Sequence, residues 1–223
     1  MKKIVIALTC FILAMGSIVN AAQKELEIQG KKLISRTPPF TLMLPSEVQL
    51  IHSTSQQNPT ESSATRAYFL VKEKNKQVEE MFIVQLADKT NPQAGPMAVP
   101  PLKPYTEKRM YMKDKIKKGE LVIDILIQLM GWNPDASSLQ PLVKKGLVVP
   151  SRWALQGQSL FAYQGEHAVF IRYSKDANTL GFKVTEEGDQ WNRGSISGNE
   201  KKAYETFQKI FIEMMNSIQI KNP

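Results

Sequence analysis

The chain has 223 residues, a formal charge of +8, two histidines and one cysteine, Cys10. That length buries a substantial core in a single domain without help from disulfides. The basic balance suits anionic partners such as phospholipid head groups or acidic polysaccharide, or a plain solvated surface; with no nucleic-acid motif in the chain, no nucleic-acid partner is expected.

Met1-Lys2-Lys3 precede an apolar stretch at 4–19 that carries no charge, and the small residues Ala21-Ala22 close it before Gln23-Lys24-Glu25. That is the pattern of a secretory signal peptide, with cleavage expected after Ala22 and export to the periplasm or the cell exterior. Cleavage removes Lys2, Lys3 and Cys10, so the mature domain, 23–223, is expected to be free of thiol catalysis, thiolate metal sites and disulfides. No second apolar run approaches the ~20 residues of a spanning helix, so a soluble mature protein is expected.

Leu26, Ile28, Phe40-Thr41-Leu42-Met43-Leu44, Val48 and Leu50 tend to alternate with polar residues, punctuated by Pro38-Pro39 and Pro45-Ser46. This predicts half-buried antiparallel strands. The Ser, Thr and Gln of 53–65 predict a loop. Segments 67–72 and 81–87 predict a hairpin about Lys74-Asn75-Lys76-Gln77. Pro92, Pro96, Pro100, Pro101 and Pro104 then make 91–104 a proline-rich excursion, unable to form helix interior or central strand.

Segment 120–130 is the most apolar of the mature chain, and its polar residues Glu120, Asp124 and Gln128 recur every fourth position. On a helix they stack on one face, so a buried helix is predicted. A short helix is predicted at 138–145, ahead of Gly146. Segments 159–163 and 168–173 predict a second hairpin about Gln164-Gly165-Glu166. Ser197-Gly198-Asn199-Glu200 fits a capping box, followed by Ala203, Phe207, Ile210, Phe211, Met214 and Ile218 at helical spacing. The expected fold class is therefore α+β: a mostly antiparallel sheet covered by three helices, the last a long C-terminal amphipathic one.

Catalytic patterns fail in turn. His52 and His167 stand alone on predicted strands, far from the two or three histidines a zinc hydrolase brings together. Gly194-Ser195-Ile196-Ser197-Gly198 has Ile196 where a nucleophile elbow needs serine. No catalytic residue, cofactor or metal site is assigned. Glu186, Glu187, Asp189 and Glu166 are the carboxylates for an alternative reading as a carboxylate-dependent hydrolase. Trp132, Trp153 and Trp191 lie near turns; exposed together they would form a sugar or peptide platform, and buried separately they are core anchors. The clearest charged feature is Lys108, Arg109, Lys113, Lys115, Lys117 and Lys118, a candidate anion-binding patch with Tyr105 and Tyr111 interleaved.

The opening Phe40-Thr41-Leu42-Met43-Leu44-Pro45, the paired hairpins and a closing helix running into Ser217-Ile218-Gln219-Ile220 resemble PsbP-like and DcrB-like exported proteins. The resemblance covers part of the mature chain and transfers no functional residue. It implies a central antiparallel sheet covered by helices and a non-catalytic accessory or assembly role. The leading expectation is an exported accessory, assembly or binding protein partnered by another envelope protein. The alternatives are the carboxylate-dependent hydrolase and a basic-surface binder of anionic lipid or polysaccharide.

Overall fold

The computed structural model describes residues 4–5, 25–58, 62–131, 135–136, 139–149, 153–181 and 191–220. The expected signal peptide lies outside them except for β1 (Ile4–Val5), which pairs in parallel with Met97–Ala98. Strands β2 (Leu26–Gln29), β3 (Lys32–Arg36) and β4 (Pro39–Met43) form an antiparallel meander. Next come β5 (Gln49–Asn58), β6 (Ser63–Lys74) and β7 (Gln77–Lys89). The β6–β7 turn places both Asn75 and Lys76 at positive φ, the conformation a two-residue type I′ turn requires. The Glu73 carboxylate accepts from the Lys76 N–H at 2.6 Å and helps hold Lys76 there.

Within the proline-rich excursion the only regular piece is β8 (Met97–Ala98). The chain continues through β9 (Met110–Lys118), β10 (Leu121–Gly131), the short helix α1 (Gln140–Lys144), β11 (Trp153–Tyr163) and β12 (His167–Asp176). Helix α2 (Gly198–Asn216) and β13 (Gln219–Ile220) close it. Besides the two-stranded β1–β8 pair, two larger sheets result: a seven-stranded one in the order β5-β6-β7-β12-β11-β10-β9, and a four-stranded one in the order β13-β4-β3-β2.

Period-two alternation gives the large sheet two different faces. Tyr68, Phe82, Val84, Ile123, Ile125, Ile127, Phe161, Val169 and Ile171 project from one face into the main core. Phe207, Phe211, Met214 and Met215 of α2 and Leu33, Phe40 and Leu42 of the small sheet close that core from above. The opposite face carries three smaller apolar patches, of which the smallest joins Ala87 and Ala168 to Met97 of β8. A second joins Phe69, Val71, Met81 and Ile83 to Leu139 and Leu142 of the α1 region. The third joins Leu126, Leu160 and Phe170 to Leu102 of the proline-rich segment.

The expected α+β fold with three covering helices is overturned: the protein is β-rich, and α1 and α2 are the only α-helices among the described residues. The decisive error falls on 120–130, which is strand β10 rather than helix. A four-residue polar step fits a helix, but it is also two full strand periods, so Asp124 and Gln128 share one face of β10 equally well. The β-branched residues Val122, Ile123, Ile125 and Ile127 favour the strand, and continuous pairing to β9 and β11 fixes it. The expected loop at 53–65 also proves mostly extended, because an edge strand is held by backbone bonds to β6 and needs few apolar side chains. Ser197 occupies the N-cap of α2 without a side-chain capping bond, so the expected capping box does not form.

Candidate functional site

A short 3₁₀ turn, Glu107–Arg109, delivers the chain into β9, the last strand of the large sheet. Alternation then sorts the six cations of the candidate patch. Lys113, Lys115 and Lys117 lie opposite Leu126, Asp124 and Val122 of β10 and so share the face that points away from the main core. All three are exposed, and alternate residues along a strand stand about 7 Å apart. Lys115 Nζ lies 3.3 Å from Asp124 Oδ1 across the strand pair. Lys113 and Lys117 form no ion pair among the described residues, and no described strand pairs with the outer edge of β9.

The other three cations are turned elsewhere. Lys118 projects to the opposite face, where its Nζ donates to the carbonyls of Asn216 and of Ile218, the latter at 2.9 Å, and so fastens the C-terminus of α2. Burial lowers the Lys118 pKa. An open cavity of about 530 Å³ lies beside this fastening, with Leu121, Ile218 and Ile220 in its wall. The Arg109 guanidinium sits 4.3 Å over the Trp153 ring. Lys108 is exposed, and its carbonyl accepts from the Arg193 N–H at 2.6 Å. The contiguous patch read from the sequence is thus a row of three lysines, with Lys108 and Arg109 at its approach and Lys118 behind it.

Beside the row runs a polar ladder that sequence reasoning did not single out. Gln128, Gln156 and Ser174 face one another across β10, β11 and β12, and all are buried. Gln128 Nε2 donates to Gln156 Oε1 at 3.1 Å, Gln158 Nε2 donates to the same oxygen at 2.7 Å, and Gln156 Nε2 donates to Ser174 Oγ at 3.1 Å. The free end of the ladder, Gln128 Oε1, accepts the backbone N–H of Tyr105 at 2.6 Å. The sequence signal was Gln156 and Gln158 two apart in an apolar strand; only the register brings Gln128 and Ser174 to them.

Two further polar clusters lie on the core side of the large sheet. Glu80, 2 % exposed, accepts from Ser46 Oγ at 2.9 Å, Tyr173 Oη at 3.0 Å and Lys175 Nζ at 2.9 Å. Burial alone would raise the Glu80 carboxyl, but the bonds and charge of Lys175, with Ser46 and Tyr173, outweigh it and hold the carboxyl below its ordinary value. Tyr173 is pushed well above the usual phenol range, first by burial and then by Glu80. At the other end of the sheet Arg66 bridges Glu25 and Asp88 and donates to the Thr37 carbonyl at 3.1 Å, while His167 Nδ1 lies 2.7 Å from Asp88 Oδ1. These bonds tie the small sheet to the large one.

The remaining candidates scatter. His52 lies on β5 against Phe69, its pKa lowered by burial and by Lys145, on a different strand from His167. Glu186, Glu187 and Asp189 lie outside the described residues, and Glu166 is an exposed turn residue 4.0 Å from Lys89. Trp132 is outside the described residues; Trp191 is fully buried and Trp153 is half-buried beneath Arg109, so these two do not form an exposed platform. No group of three or more metal-ligating side chains occurs among the described residues. No described helix is long and apolar enough to cross a membrane. No family model matches the chain, and no curated protein or solved structure matches it.

Proposed function

We propose that this chain is an exported, non-catalytic docking protein of the cell envelope, and that it holds an extended acidic segment of another envelope protein against β9. The observation that carries the reading is the row Lys113, Lys115 and Lys117 along the face of an edge strand whose outer side has no described partner. Such an edge offers backbone donors and acceptors to an added strand, and alternate side chains then set the specificity. Lys115 with Asp124 supplies the pattern on the inner side: a carboxylate directly across the pair neutralises the lysine. An incoming strand with carboxylates at every second position repeats that pairing on the outer side for Lys113 and Lys117, and shares Lys115 with Asp124.

The same row works against self-association, because a second copy of β9 laid alongside sets lysine against lysine. A bare lysine-bearing edge serves only that protective purpose, and an acidic strand is the partner that turns it into a site. The reading agrees with the accessory role that a PsbP-like or DcrB-like resemblance implies. The signal-peptide pattern of the first twenty-two residues supports the envelope as its place of action, tested by N-terminal sequencing of the exported product, which should begin at Gln23.

The test of docking uses two labelled peptides of equal composition, one alternating Glu and Thr and one with its Glu residues in a block. The alternating peptide should bind more tightly at low salt, weaken as salt screens the pairs, and lose binding to the triple variant Lys113→Glu, Lys115→Glu, Lys117→Glu. Equal binding of the two peptides, or equal binding by the triple variant, overturns the reading. Retention by anionic lipid vesicles or acidic polysaccharide with no binding of either peptide overturns it in favour of a charged-surface binder.

A further inference from the structure

Tyr105 is 79 % exposed, the most exposed of the large hydrophobic side chains among the described residues. It is nevertheless held in place. Leu102, three residues earlier, is 5 % exposed and packs with Leu126, Leu160 and Phe170. The Tyr105 backbone N–H is bonded to Gln128 Oε1 at 2.6 Å, and Gln128 is itself fixed by Gln156. A buried polar ladder is costly unless every member is satisfied, and its one described bond to the covering segment goes to the residue that presents this ring. An exposed aromatic with its backbone already ordered loses little entropy on binding, the condition for an interface anchor.

The backbone of Tyr105 is also fastened close to the lysine row. Gln128 shares a face of β10 with Leu126, and Leu126 is directly opposite Lys113. Past a bulge in β9, Gln128 is opposite Met110, so the backbone of Tyr105 is fastened over the start of β9, at the Lys113 end of the row. The exposed ring of Tyr105 is thus carried by a backbone fixed at one end of the lysine row.

We infer that Tyr105 is the aromatic anchor of the β9 docking edge, and that the segment bound there carries an apolar or aromatic side chain just beyond the end of its alternating carboxylates that meets Lys113. This rests on the docking reading and adds to it a sequence pattern for the partner. A strand laid parallel to β9 presents that side chain before its first carboxylate; one laid antiparallel presents it after its last.

The test compares three peptides: an acid-only Glu/Thr alternation, Phe-Thr-Glu-Thr-Glu-Thr-Glu, and Glu-Thr-Glu-Thr-Glu-Thr-Phe. One of the two phenylalanine peptides should bind the wild-type protein about tenfold more tightly than the acid-only peptide, the other far less so. Tyr105→Ala should erase that gain while leaving the acid-only affinity and the melting temperature unchanged, and Tyr105→Trp should restore it. Gln128→Met, with Tyr105 intact, should lose most of the gain. If neither phenylalanine peptide gains, or if the gain survives Tyr105→Ala, the inference fails and the docking reading stands. If no peptide binds the wild-type protein at low salt, both fall.

Discussion

Gly157 lies directly beneath the ring of Phe211, so close that a Cβ at position 157 would run into the ring. The contact joins β11, in the middle of the large sheet, to α2, and it explains why an otherwise buried strand carries a glycine. Adding a side chain there drives the helix off the sheet. Gly157→Val is expected to cost about 1–3 kcal/mol, read as an earlier urea midpoint with an unchanged slope. The pair Gly157→Val with Phe211→Ala should recover part of that loss, since the two residues share one space.

Glu80 gives the protein an acid-side dependence. Its folded-state pKa is depressed, so the unfolded chain binds its proton more readily, and stability falls as pH drops. The contribution is fully present above the unfolded carboxylate value of about 4.3 and is lost as pH falls through the lower folded value. Urea unfolding between pH 6 and pH 3 should show the wild type losing stability toward the acid end. Glu80→Gln should start less stable at pH 6, because Lys175 keeps its charge without a partner, and should fall less steeply.

Lys118 separates the fastening of the helix from the docking row. Its ammonium holds the carbonyls of Asn216 and Ile218 on the face opposite Lys113, Lys115 and Lys117. Lys118→Met should lower stability by about 1 kcal/mol and increase amide exchange in the last turn of α2. Its affinity for the alternating Glu/Thr peptide should stay near that of the wild type, whereas Lys117→Met should weaken that peptide. A contiguous six-cation patch predicts equal losses for the two variants.

Several elements were legible from residue order alone, and the reasons are local. The hairpins at β6–β7 and β11–β12 announce themselves through alternation and through Asn75 and Gly165, which accept positive φ. Helix α2 shows its apolar stripe in Phe207, Phe211 and Met214. Strand β10 did not, because Asp124 and Gln128 are four apart, a step that helix and strand share. The candidate site was half legible. Composition marked the cations of 108–118, but only the β9–β10 register divides Lys117 from its neighbour Lys118. The ladder joins Gln128 of β10 to Gln156 and Ser174 of the β11–β12 hairpin, with a helix between, so no local pattern carries the whole of it.

Hydrogen exchange of the β9 backbone tests the central claim most directly. In the free protein, alternate amides of 110–118 bond to β10, and those between them point outward with no described strand to receive them, the Lys115 N–H being held instead by Asp114 Oδ1 at 2.8 Å. Adding the alternating Glu/Thr peptide should protect that outward set while leaving the amides of β5, the opposite edge of the same sheet, unchanged. Protection confined to β5 or to β13, or peptide binding with no change in β9, contradicts docking at this edge.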